Sequence, residues 1–448
     1  MRIAIIGGGA AGLSAGYELS KHGLEVHLFE RDATLGGLAG SFLLDGGYVE
    51  KYYHFICLND HTYRHLLGEL GLAHLLRWKY TEMGQFYANT LYSFGRPTDL
   101  LTFPHLSWRD KLRFGLSIMR IKAAHWQDWK AIEHIPVEQW MTETFGEAVY
   151  RTLHEPLVRL KFGEYRHRLS AAWMWARIHR LGKSRTKIRQ REKVGYVDGG
   201  SQIIMDSLGE QIRQRGGTIT LRASVEELLL ADGKVKGLRV NGEERSFDGV
   251  LSTVPLPALL RLLPPSLDGQ YWTTLRNIQS IGVLCVFLRM KRPLTKYFWT
   301  NINDDGIDLA GVVEYTNLNS LPHLGGDSIV YLPQYLPSSA KKFTSSDEEI
   351  IDEYLGYLSK IDASFSRSDV RHSFVFRDKY AQPICEVGFT KDIPDIRTPV
   401  GSFYVTDSSQ LHPDDRTISN SLDLGQRAAA AIVSDMTSHR STHQDARR

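Results

Sequence analysis

The 448-residue sequence predicts an α/β protein in which a Rossmann-like nucleotide-binding domain is assembled from separated segments of the chain. Three observations favour this fold. A glycine-rich turn joins an apolar strand to a helix at the N-terminus, a second glycine turn and helix follow midway, and a last strand and helix close the chain. The glycine pattern vanishes between these parts, which indicates an inserted α+β domain.

The first forty residues carry the most specific motif. An apolar run over residues 3–6 enters Gly7-x-Gly9-x-x-Gly12, and a second apolar run delivers Glu30, 18 residues after the last glycine. Gly7 permits a tight turn, Gly9 lets the backbone approach a pyrophosphate, and Gly12 lets the helix pack on the strand. Glu30 can accept a hydrogen bond from a ribose 2′-OH. We therefore expect a dinucleotide whose phosphates lie at the helix N-terminus.

A second motif narrows the choice of dinucleotide. The stretch from Glu30 to Gly36-Gly37 reads Glu-x(5)-Gly-Gly, which resembles the second signature of the two-dinucleotide-binding flavoproteins. That group holds monoamine oxidases, protoporphyrinogen oxidases, phytoene-type desaturases and UDP-galactopyranose mutases. The resemblance implies a glutathione-reductase-type domain that binds FAD. With Gly7, Gly9, Gly12 and Glu30, the FAD-binding residues that it implies are Ala11, Arg31, Gly36, Gly37, Leu38, Ala39, Tyr53, Val225, Asp407, Ile418 and Ser419.

The resemblance recurs in the middle and at the end of the chain. A Gly-Tyr-x-x-Gly-Gly turn at 195–200 is followed by a helix and two strands, and in these flavoproteins a valine equivalent to Val225 contacts the adenine. The strand at 400–407 is similar to their last strand, which ends in Gly-Asp. Asp407 is kept, whereas Thr406 replaces the glycine, which puts a close approach of the cofactor there in question. The helix beyond is expected to direct its positive N-terminal end at the flavin.

These segments set the predicted domain boundaries. The region 81–190 is rich in aromatic residues and is predicted to form a hairpin and helices at the floor or lid of a substrate cavity. The FAD-binding domain is predicted from residues 1–80, 195–260 and 371–435, the substrate domain from 81–194 and 261–370, and a disordered tail from 436–448.

Three side chains are candidates for chemistry. His54 stands where the resembling flavoproteins carry a histidine motif beside the flavin, so a neutral imidazole could polarise the ring or carry a proton. A histidine that only packs and hydrogen-bonds is the alternative reading. Lys161 and Arg177 each have apolar neighbours on both sides, and we expect these two basic residues to point inward.

The segment 159–193 holds 12 Lys and Arg residues against two acids. Arginine forks suit a phosphate or carboxylate on a substrate that is phosphorylated or lipid-linked. A second interpretation is peripheral contact with anionic lipid, and a third is a solvated basic loop. Nucleic acid is not expected, because no binding module accompanies the charge.

Composition excludes several other classes. Three cysteines without a Cys-x-x-Cys pair rule out the dithiol of disulfide reductases and favour a reducing compartment. The chain starts with a strand and holds no apolar run of membrane-spanning length, so we expect a cytoplasmic protein, or one held peripherally at the inner face of a membrane. Cys57, His61 and His65 share a four-residue spacing but lack a fourth ligand, and no metal site is predicted.

The functional hypothesis is an FAD-dependent oxidoreductase, protoporphyrinogen-oxidase-like or desaturase-like. It would take hydride from a largely apolar or amphipathic small molecule onto flavin N5. Two alternatives stay open. One is a mutase-like, redox-neutral enzyme acting on a nucleotide sugar, and the other is a membrane-docked flavoenzyme of polyprenyl or glycolipid metabolism.

Overall fold

The computed structural model describes residues 1–183, 192–265 and 267–445. The strands are β1 Arg2–Ile6, β2 Glu25–Phe29, β3 Ser41–Leu44, β4 Gly47–Glu50, β5 Leu76–Thr81, β6 Met83–Tyr87, β7 Thr90–Ser93, β8 Glu192–Val197, β9 Thr218–Thr220, β10 Val225–Ala231, β11 Lys234–Val240, β12 Glu243–Ser246, β13 Gly249–Ser252, β14 Ser280–Met290, β15 Trp299–Ile302, β16 Gly311–Glu314, β17 Ser328–Pro337, β18 Val370–Pro383 and β19 Phe403–Val405. The helices are α1 Ala10–Lys21, α2 His61–Glu69, α3 Pro97–Thr102, α4 Trp108–Ala123, α5 Val137–Phe145, α6 Glu147–Val149, α7 Glu155–Phe162, α8 Ala171–Lys183, α9 Gln202–Gln214, α10 Leu256–Leu259, α11 Gln270–Asn277, α12 Asp347–Ile361 and α13 Ile418–Asp445.

A five-stranded parallel sheet in the order β19-β13-β1-β2-β9 forms one half of the molecule. Side chains of β1 alternate between the two faces, as the pleat requires. Ile3 and Ile5 pack in the core formed with α1, α9 and α13, whereas Ala4 and Ile6 face the core under the three-stranded sheet β10-β11-β12. The predicted Rossmann-like fold from three separated chain segments is confirmed.

The other half contains a seven-stranded sheet in the order β18-β14-β17-β16-β15-β6-β7. Strand β18 pairs with β14 along most of its length, with Phe374 opposite Phe287. Residues 371–383 therefore belong to the sheet of the predicted substrate domain, although the sequence placed them in the FAD-binding domain. The pairing partner of β18 lies about ninety residues earlier in the chain, and no local pattern reports such a contact.

Helices α3 to α8 form an aromatic cluster beside this sheet. The predicted hairpin forms between β6 and β7, with its turn at Ala88-Asn89. Both turn residues have positive φ (52° and 53°), and Asp304 accepts hydrogen bonds from their backbone N–H groups at 2.5 and 2.6 Å. These bonds from outside the hairpin stabilise the turn.

The last helix differs most from expectation. Helix α13 runs to Asp445, whereas the sequence indicated a disordered tail from residue 436. No glycine or proline follows position 425, so nothing in the sequence terminates the helix where the apolar pattern fades. None of the helices in the described ranges combines the length and apolar character that a membrane span requires.

The buried histidine His412 makes the stability of the fold sensitive to acid. Its side chain is fully buried against Trp129 and Phe389, and burial lowers the pKa of the imidazole from 6.5 to about 4, with Glu133 opposing the shift. Between these two pKa values the unfolded chain binds a proton that the folded chain does not bind. Stability therefore falls as the pH is lowered from 6.5 towards 4.

We expect the free energy of unfolding of His412→Phe to fall less with decreasing pH than that of the unmodified protein. The difference between the two slopes should be about 1 kcal/mol per pH unit between pH 6.5 and 4. Urea denaturation at successive pH values measures the difference. Parallel stability curves for the two proteins would show that His412 is not held neutral in the fold.

Candidate functional site

A cavity of about 730 Å³ extends from the glycine loops of the parallel sheet to the end of β18 in the other sheet. Most of the residues predicted for the cofactor meet here. Those that line it are Gly7, Gly9, Ala11, Glu30, Arg31, Gly36, Gly37, Leu38, Ala39, Val225, Asp407 and Ile418, and His54 lines it as well.

Three of the predicted cofactor residues lie behind the lining. A Cβ at Gly12 would come within 2.0 Å of the Gly7 carbonyl oxygen, so Gly12 serves the packing of α1 on β1. The ring of Tyr53 packs edge-on against Trp299 at 5.0 Å. Ser419 borders a separate small cavity, where its Oγ accepts a hydrogen bond from the backbone N–H of Tyr63 at 3.2 Å.

Two glycine loops form a backbone surface at one end of the cavity. Gly9 immediately precedes α1, which has no side-chain cap, and a Cβ on Gly9 would meet no protein atom within 4 Å. The Gly36 N–H donates to the Gly8 carbonyl at 2.8 Å, and Gly37 lies so close that its Cβ would be 3.4 Å from Gly9 Cα. An uncapped helix N-terminus facing space that only glycine leaves open fits a pyrophosphate.

Glu30 is held rigidly beside this surface. Its Oε2 accepts the Gly8 N–H at 2.6 Å, and its Oε1 accepts the Asp32 N–H at 2.8 Å. Each carboxylate oxygen keeps a further lone pair, which can accept from the hydroxyls of a ribose. The buried, oriented carboxylate therefore fits the adenosine half of FAD.

Asp407 and Thr406 lie at the end of β19. The Asp407 carboxylate accepts from the N–H groups of Ser409 at 2.8 Å and Leu256 at 3.3 Å, and burial raises its pKa above the usual range. Thr406 lines the cavity, and its hydroxyl donates to Gln410 Oε1 at 2.8 Å.

His54 lies further along the cavity, close to Arg416 and the start of α13. Burial, together with the nearby Arg416 charge, lowers the pKa of the His54 imidazole from 6.5 to about 4. His54 is thus neutral at physiological pH. The Arg416 Nε has no hydrogen-bond partner among the described residues and is buried, so a guanidinium donor is left for a bound ligand.

Glu50 is a buried acid behind His54 that the sequence did not single out. Its carboxylate accepts from the Ser201 hydroxyl at 2.6 Å and the Ser201 N–H at 3.2 Å, and burial raises its pKa. Glu50, His54 and Ser419 border a cavity of about 10 Å³, which is enough for about one water molecule. The carboxylate supports the backbone around His54, because it also accepts from the His54 N–H.

The far end of the cavity is both aromatic and charged. Phe376, Tyr380 and Ala381 of β18 line it, as does Tyr52, whose ring is 6.2 Å from Phe376. Two arginines that no sequence motif indicates, Arg261 and Arg377, also line this end of the cavity. Arg261 donates to the Tyr380 hydroxyl at 3.0 Å, and Arg377 pairs with Asp347 at 2.6 Å.

Lys161 and Arg177 do point inward, as expected, but they do not line the cavity. Both bind Asp415, Lys161 Nζ at 3.5 Å from Oδ1 and Arg177 at 3.2 Å from Oδ2. Arg180 lies 3.7 Å from the same carboxylate, and Trp173 Nε1 donates to it at 2.8 Å. Lys161 and Arg177, predicted as candidates for chemistry, are therefore both held by a buried acid that is distant in sequence.

Within this Asp415 cluster the pKa values of Asp415 and Lys161 are both lowered, whereas the neighbouring carboxylates raise the pKa of Arg180. The pKa of Asp415 lies far below its usual range despite its burial, since Lys161, Arg177 and Arg180 all favour the carboxylate. Burial lowers the pKa of Lys161 to about 8, and Asp415 only partly opposes this because Arg177 repels the ammonium. Lys161, Arg177 and Arg180 share the single carboxylate of Asp415. The Lys161 ammonium is therefore stabilised less by opposite charge than the Asp415 carboxylate is.

Other charges of the basic segment are paired as well. Arg159 binds Glu155 at 3.3 Å and Asp305 at 3.2 Å, and Arg168 binds Glu386 at 3.3 Å. The described part of 159–193 is thus not an open basic patch. Four of its basic residues, within 184–191, lie outside the described residues.

Cys57, His61 and His65 are not brought together. Cys57 is buried, whereas His61 and His65 are exposed on α2. The described residues contain no group of three or more His, Cys, Asp or Glu side chains arranged to hold a metal ion.

Comparisons with known proteins agree with this site. A sequence model of the family described as flavin containing amine oxidoreductase matches residues 10–433. The 15-cis-phytoene desaturase of Synechococcus elongatus is 24% identical over 338 residues, which cover 66% of this chain and 66% of the desaturase. The mitochondrial protoporphyrinogen oxidase of Nicotiana tabacum is 24% identical over 300 residues, 57% of this chain and 58% of the oxidase. The matches therefore span about two thirds or less of the length of these relatives.

A solved structure shows the same fold. The cyclohexylamine oxidase of Brevibacterium oxydans superposes with a TM-score of 0.72 at 17% identity, covering 97% of this chain and 99% of that chain. The likeness includes both halves of the molecule, the parallel sheet with its glycine loops and the seven-stranded sheet.

Proposed function

The chain belongs to the flavin-containing amine oxidoreductase family, whose members use FAD, and from this premise we propose that it oxidises a largely apolar or amphipathic small molecule. FAD is its cofactor. The observation that carries the proposal is the continuity of the cavity from the two glycine loops to the aromatic end of β18. One chamber can therefore hold a dinucleotide and a second molecule in contact with it.

The residues of the chain divide into three tasks. The backbone of the glycine loops and the N-terminus of α1 would hold the pyrophosphate, and Glu30 would hold a ribose. Asp407 and the first turn of α13 would hold the part of FAD that lies beyond. When bound, FAD supplies a hydride acceptor at flavin N5. Arg416 and the α13 N-terminus would stabilise the negative charge that develops on the cofactor when it is reduced.

The far end of the cavity supports an amphipathic substrate. Phe376, Tyr52 and Ala381 offer an apolar surface, while Arg261 and Arg377 offer cationic groups. An apolar body that carries an anionic group matches both features. We propose hydride removal from a C–H centre of such a molecule, as in a desaturase or a protoporphyrinogen-type oxidase.

Two alternatives have more limited support. A redox-neutral enzyme acting on a nucleotide sugar needs cations for a diphosphate. Arg261 could supply one, but Arg377 is paired with Asp347, and Arg177 and Arg180 are held by Asp415. A polyprenyl or glycolipid substrate would also combine phosphate with an apolar chain. Membrane contact through 159–193 would have to rely on its residues outside the described ranges, because the described cations are largely paired.

Anaerobic mixing of the FAD-loaded protein with candidate reductants tests the proposal. Carotenoid precursors, porphyrinogens and amines represent the apolar, amphipathic and cationic classes. Bleaching of the oxidised flavin band by one of the first two classes is the expected result. Failure of the purified protein to bind FAD, or reduction by a small amine alone, would overturn the proposed substrate class.

Because His54 is neutral, we expect it to act by hydrogen bonding and not by changing its charge. His54→Phe should bind FAD normally and slow flavin reduction by roughly tenfold, which is the effect of losing one hydrogen bond in a cavity. The rate in the unmodified protein should show no titration of His54 between about pH 5.5 and 8. Stopped-flow absorbance measures both quantities.

Tyr53→Phe is the matched control for His54, since the Tyr53 ring packs behind the cavity. It should leave the rate of flavin reduction unchanged. Equal rates for His54→Phe and the unmodified protein would assign His54 a packing role only.

A further inference from the structure

Helix α4 presents an apolar stripe to solvent, which is unusual for a surface helix. Trp108, Leu112, Leu116 and Met119 are 70%, 65%, 43% and 57% exposed, and Leu101 of the neighbouring α3 is 50% exposed. We call these five residues the α4 stripe. They make up half of the ten exposed large apolar side chains in the described part of the chain, gathered within 19 residues. Such a concentration marks an interaction surface.

The stripe is a second apolar face of α4 and does not extend its core-facing side. Phe114 and Ile118 are partly buried in the aromatic cluster, and Ile121 is 6% exposed. With about 100° of rotation per residue, the exposed side chains fall in an arc of about 80° on the opposite side of the helix. Helix α4 packs inward on α8, so the exposed arc forms the outermost layer of this half.

Basic residues border the stripe on both sides. At the same helical rotation, Arg109 and Arg120 follow one edge of the arc and Lys122 follows the other. Arg113 shares the first edge but donates to backbone carbonyls of α5, and Lys111 shares the second but is only 8% exposed. Residues 101–131 hold six Lys and Arg against two Asp, a local net charge of +4.

The two acids do not oppose this charge at the stripe. Asp110 accepts from the Ser107 hydroxyl at 2.6 Å in the cap of α4, and Asp128 accepts from the His125 N–H at 3.0 Å. The Lys111 ammonium lies 4.8 Å from the Trp108 ring and donates to the Leu101 carbonyl at 2.8 Å, which ties the two helices of the stripe together.

We propose that the α4 stripe docks the protein on an anionic lipid surface, with α4 lying in the plane of the interface. A narrow apolar arc with an indole at one end and cations along both edges matches the interface between acyl chains and anionic headgroups. The surface is distinct from the basic segment 159–193 and independent of the substrate proposed above. Docking would place the helical half of the molecule, with α8 and the Asp415 cluster behind α4, against the membrane.

Co-sedimentation of the FAD-loaded full-length protein with vesicles tests this inference. Vesicles of phosphatidylcholine alone are compared with vesicles that also contain phosphatidylglycerol. We expect binding to the anionic vesicles, weakened by salt. Leu112→Ser/Met119→Ser should lower the partition coefficient roughly a hundredfold, about tenfold for each apolar side chain removed. Arg109→Glu/Arg120→Glu should lower it at least tenfold and remove the preference for anionic lipid.

Matched controls carry the same chemical changes elsewhere on the surface. Leu43→Ser/Tyr80→Ser alters two side chains that are 67% and 50% exposed, and Arg151→Glu/Arg213→Glu reverses two exposed charges. Both controls should bind vesicles like the unmodified protein. All variants should retain FAD, because none of these residues lines the cavity.

A second measurement, fluorescence quenching, requires only a single substitution. Brominated lipid should quench the tryptophan fluorescence of the unmodified protein more than that of Trp108→Phe. Absence of vesicle binding, or equal binding by the stripe variant and the controls, would overturn the inference. A third outcome would also overturn it: the unmodified protein does not bind vesicles, and sedimentation velocity shows a dimer that the stripe variants lack. The α4 stripe would then bind a second copy of the chain.

Discussion

Gly9→Val is expected to abolish FAD binding while the apoprotein stays folded. Gly9 has φ −77° and ψ −179°, which valine adopts without strain, and its Cβ would touch no protein atom within 4 Å. The cost to the apoprotein should stay within about 1 kcal/mol, the difference between glycine and an aliphatic residue before a helix. The branched side chain would instead fill the space in front of the α1 N-terminus. We expect FAD affinity to fall at least a hundredfold, roughly 3 kcal/mol.

Gly12→Val is the matched variant, and we expect it to destabilise the apoprotein itself, unlike Gly9→Val. Its Cβ would lie 2.0 Å from the Gly7 carbonyl and 2.9 Å from Thr253 Oγ1, so the strand and helix would have to separate. We expect the apoprotein to lose about 3 kcal/mol or more of stability, and FAD binding to fall as a consequence. Urea denaturation of the apoproteins and titration of flavin fluorescence measure the two effects. FAD binding by Gly9→Val with unchanged affinity would place the cofactor elsewhere.

Asp415→Asn should be among the most destabilising polar substitutions in the chain, by about 3–5 kcal/mol at neutral pH. The amide oxygen can still accept from Trp173 Nε1, but Lys161 and Arg177 lose the anion that compensates their burial. The carboxylate pKa is lowered in the folded state, so its contribution is present above the ordinary pKa near 3.8 and is lost as the pH falls below it. Urea denaturation at neutral pH therefore reports the full effect.

Glu147→Gln is the control for Asp415→Asn. Glu147 pairs with Arg151 on the surface, where the two side chains are 64% and 74% exposed, and its loss should cost less than about 0.5 kcal/mol. Adding Lys161→Met to Asp415→Asn should recover part of the stability, because one uncompensated cation is removed. If Asp415→Asn had unchanged stability but slower flavin reduction, we would conclude instead that Lys161 and Arg177 act on the substrate.

The cofactor end of the site was predictable because its determinants are local. Gly7, Gly9, Gly12 and Glu30 lie within one strand-helix-strand unit, and each residue type answers a steric or hydrogen-bonding need of that unit. The family resemblance then located the distant Val225 and Asp407, and both line the cavity.

The substrate end was less predictable because it depends on contacts between remote segments. Apolar neighbours correctly indicated that Lys161 and Arg177 point inward, but not that Asp415, more than two hundred residues later, holds them. The same limit applies to β18, whose sheet is decided by its pairing with β14. Thr406 shows a third kind of limit, since its residue type alone does not tell that its hydroxyl turns towards Gln410.

The most direct test of the account couples flavin reduction to substrate oxidation in one anaerobic measurement. FAD-loaded protein is mixed with a carotenoid precursor or a porphyrinogen, and the oxidised flavin band and the products are followed together. We predict loss of one equivalent of oxidised flavin for each two-electron oxidation of substrate. Conversion of a nucleotide sugar by the reduced protein, with no net change in the flavin and no reaction with the apolar substrates, would contradict the account.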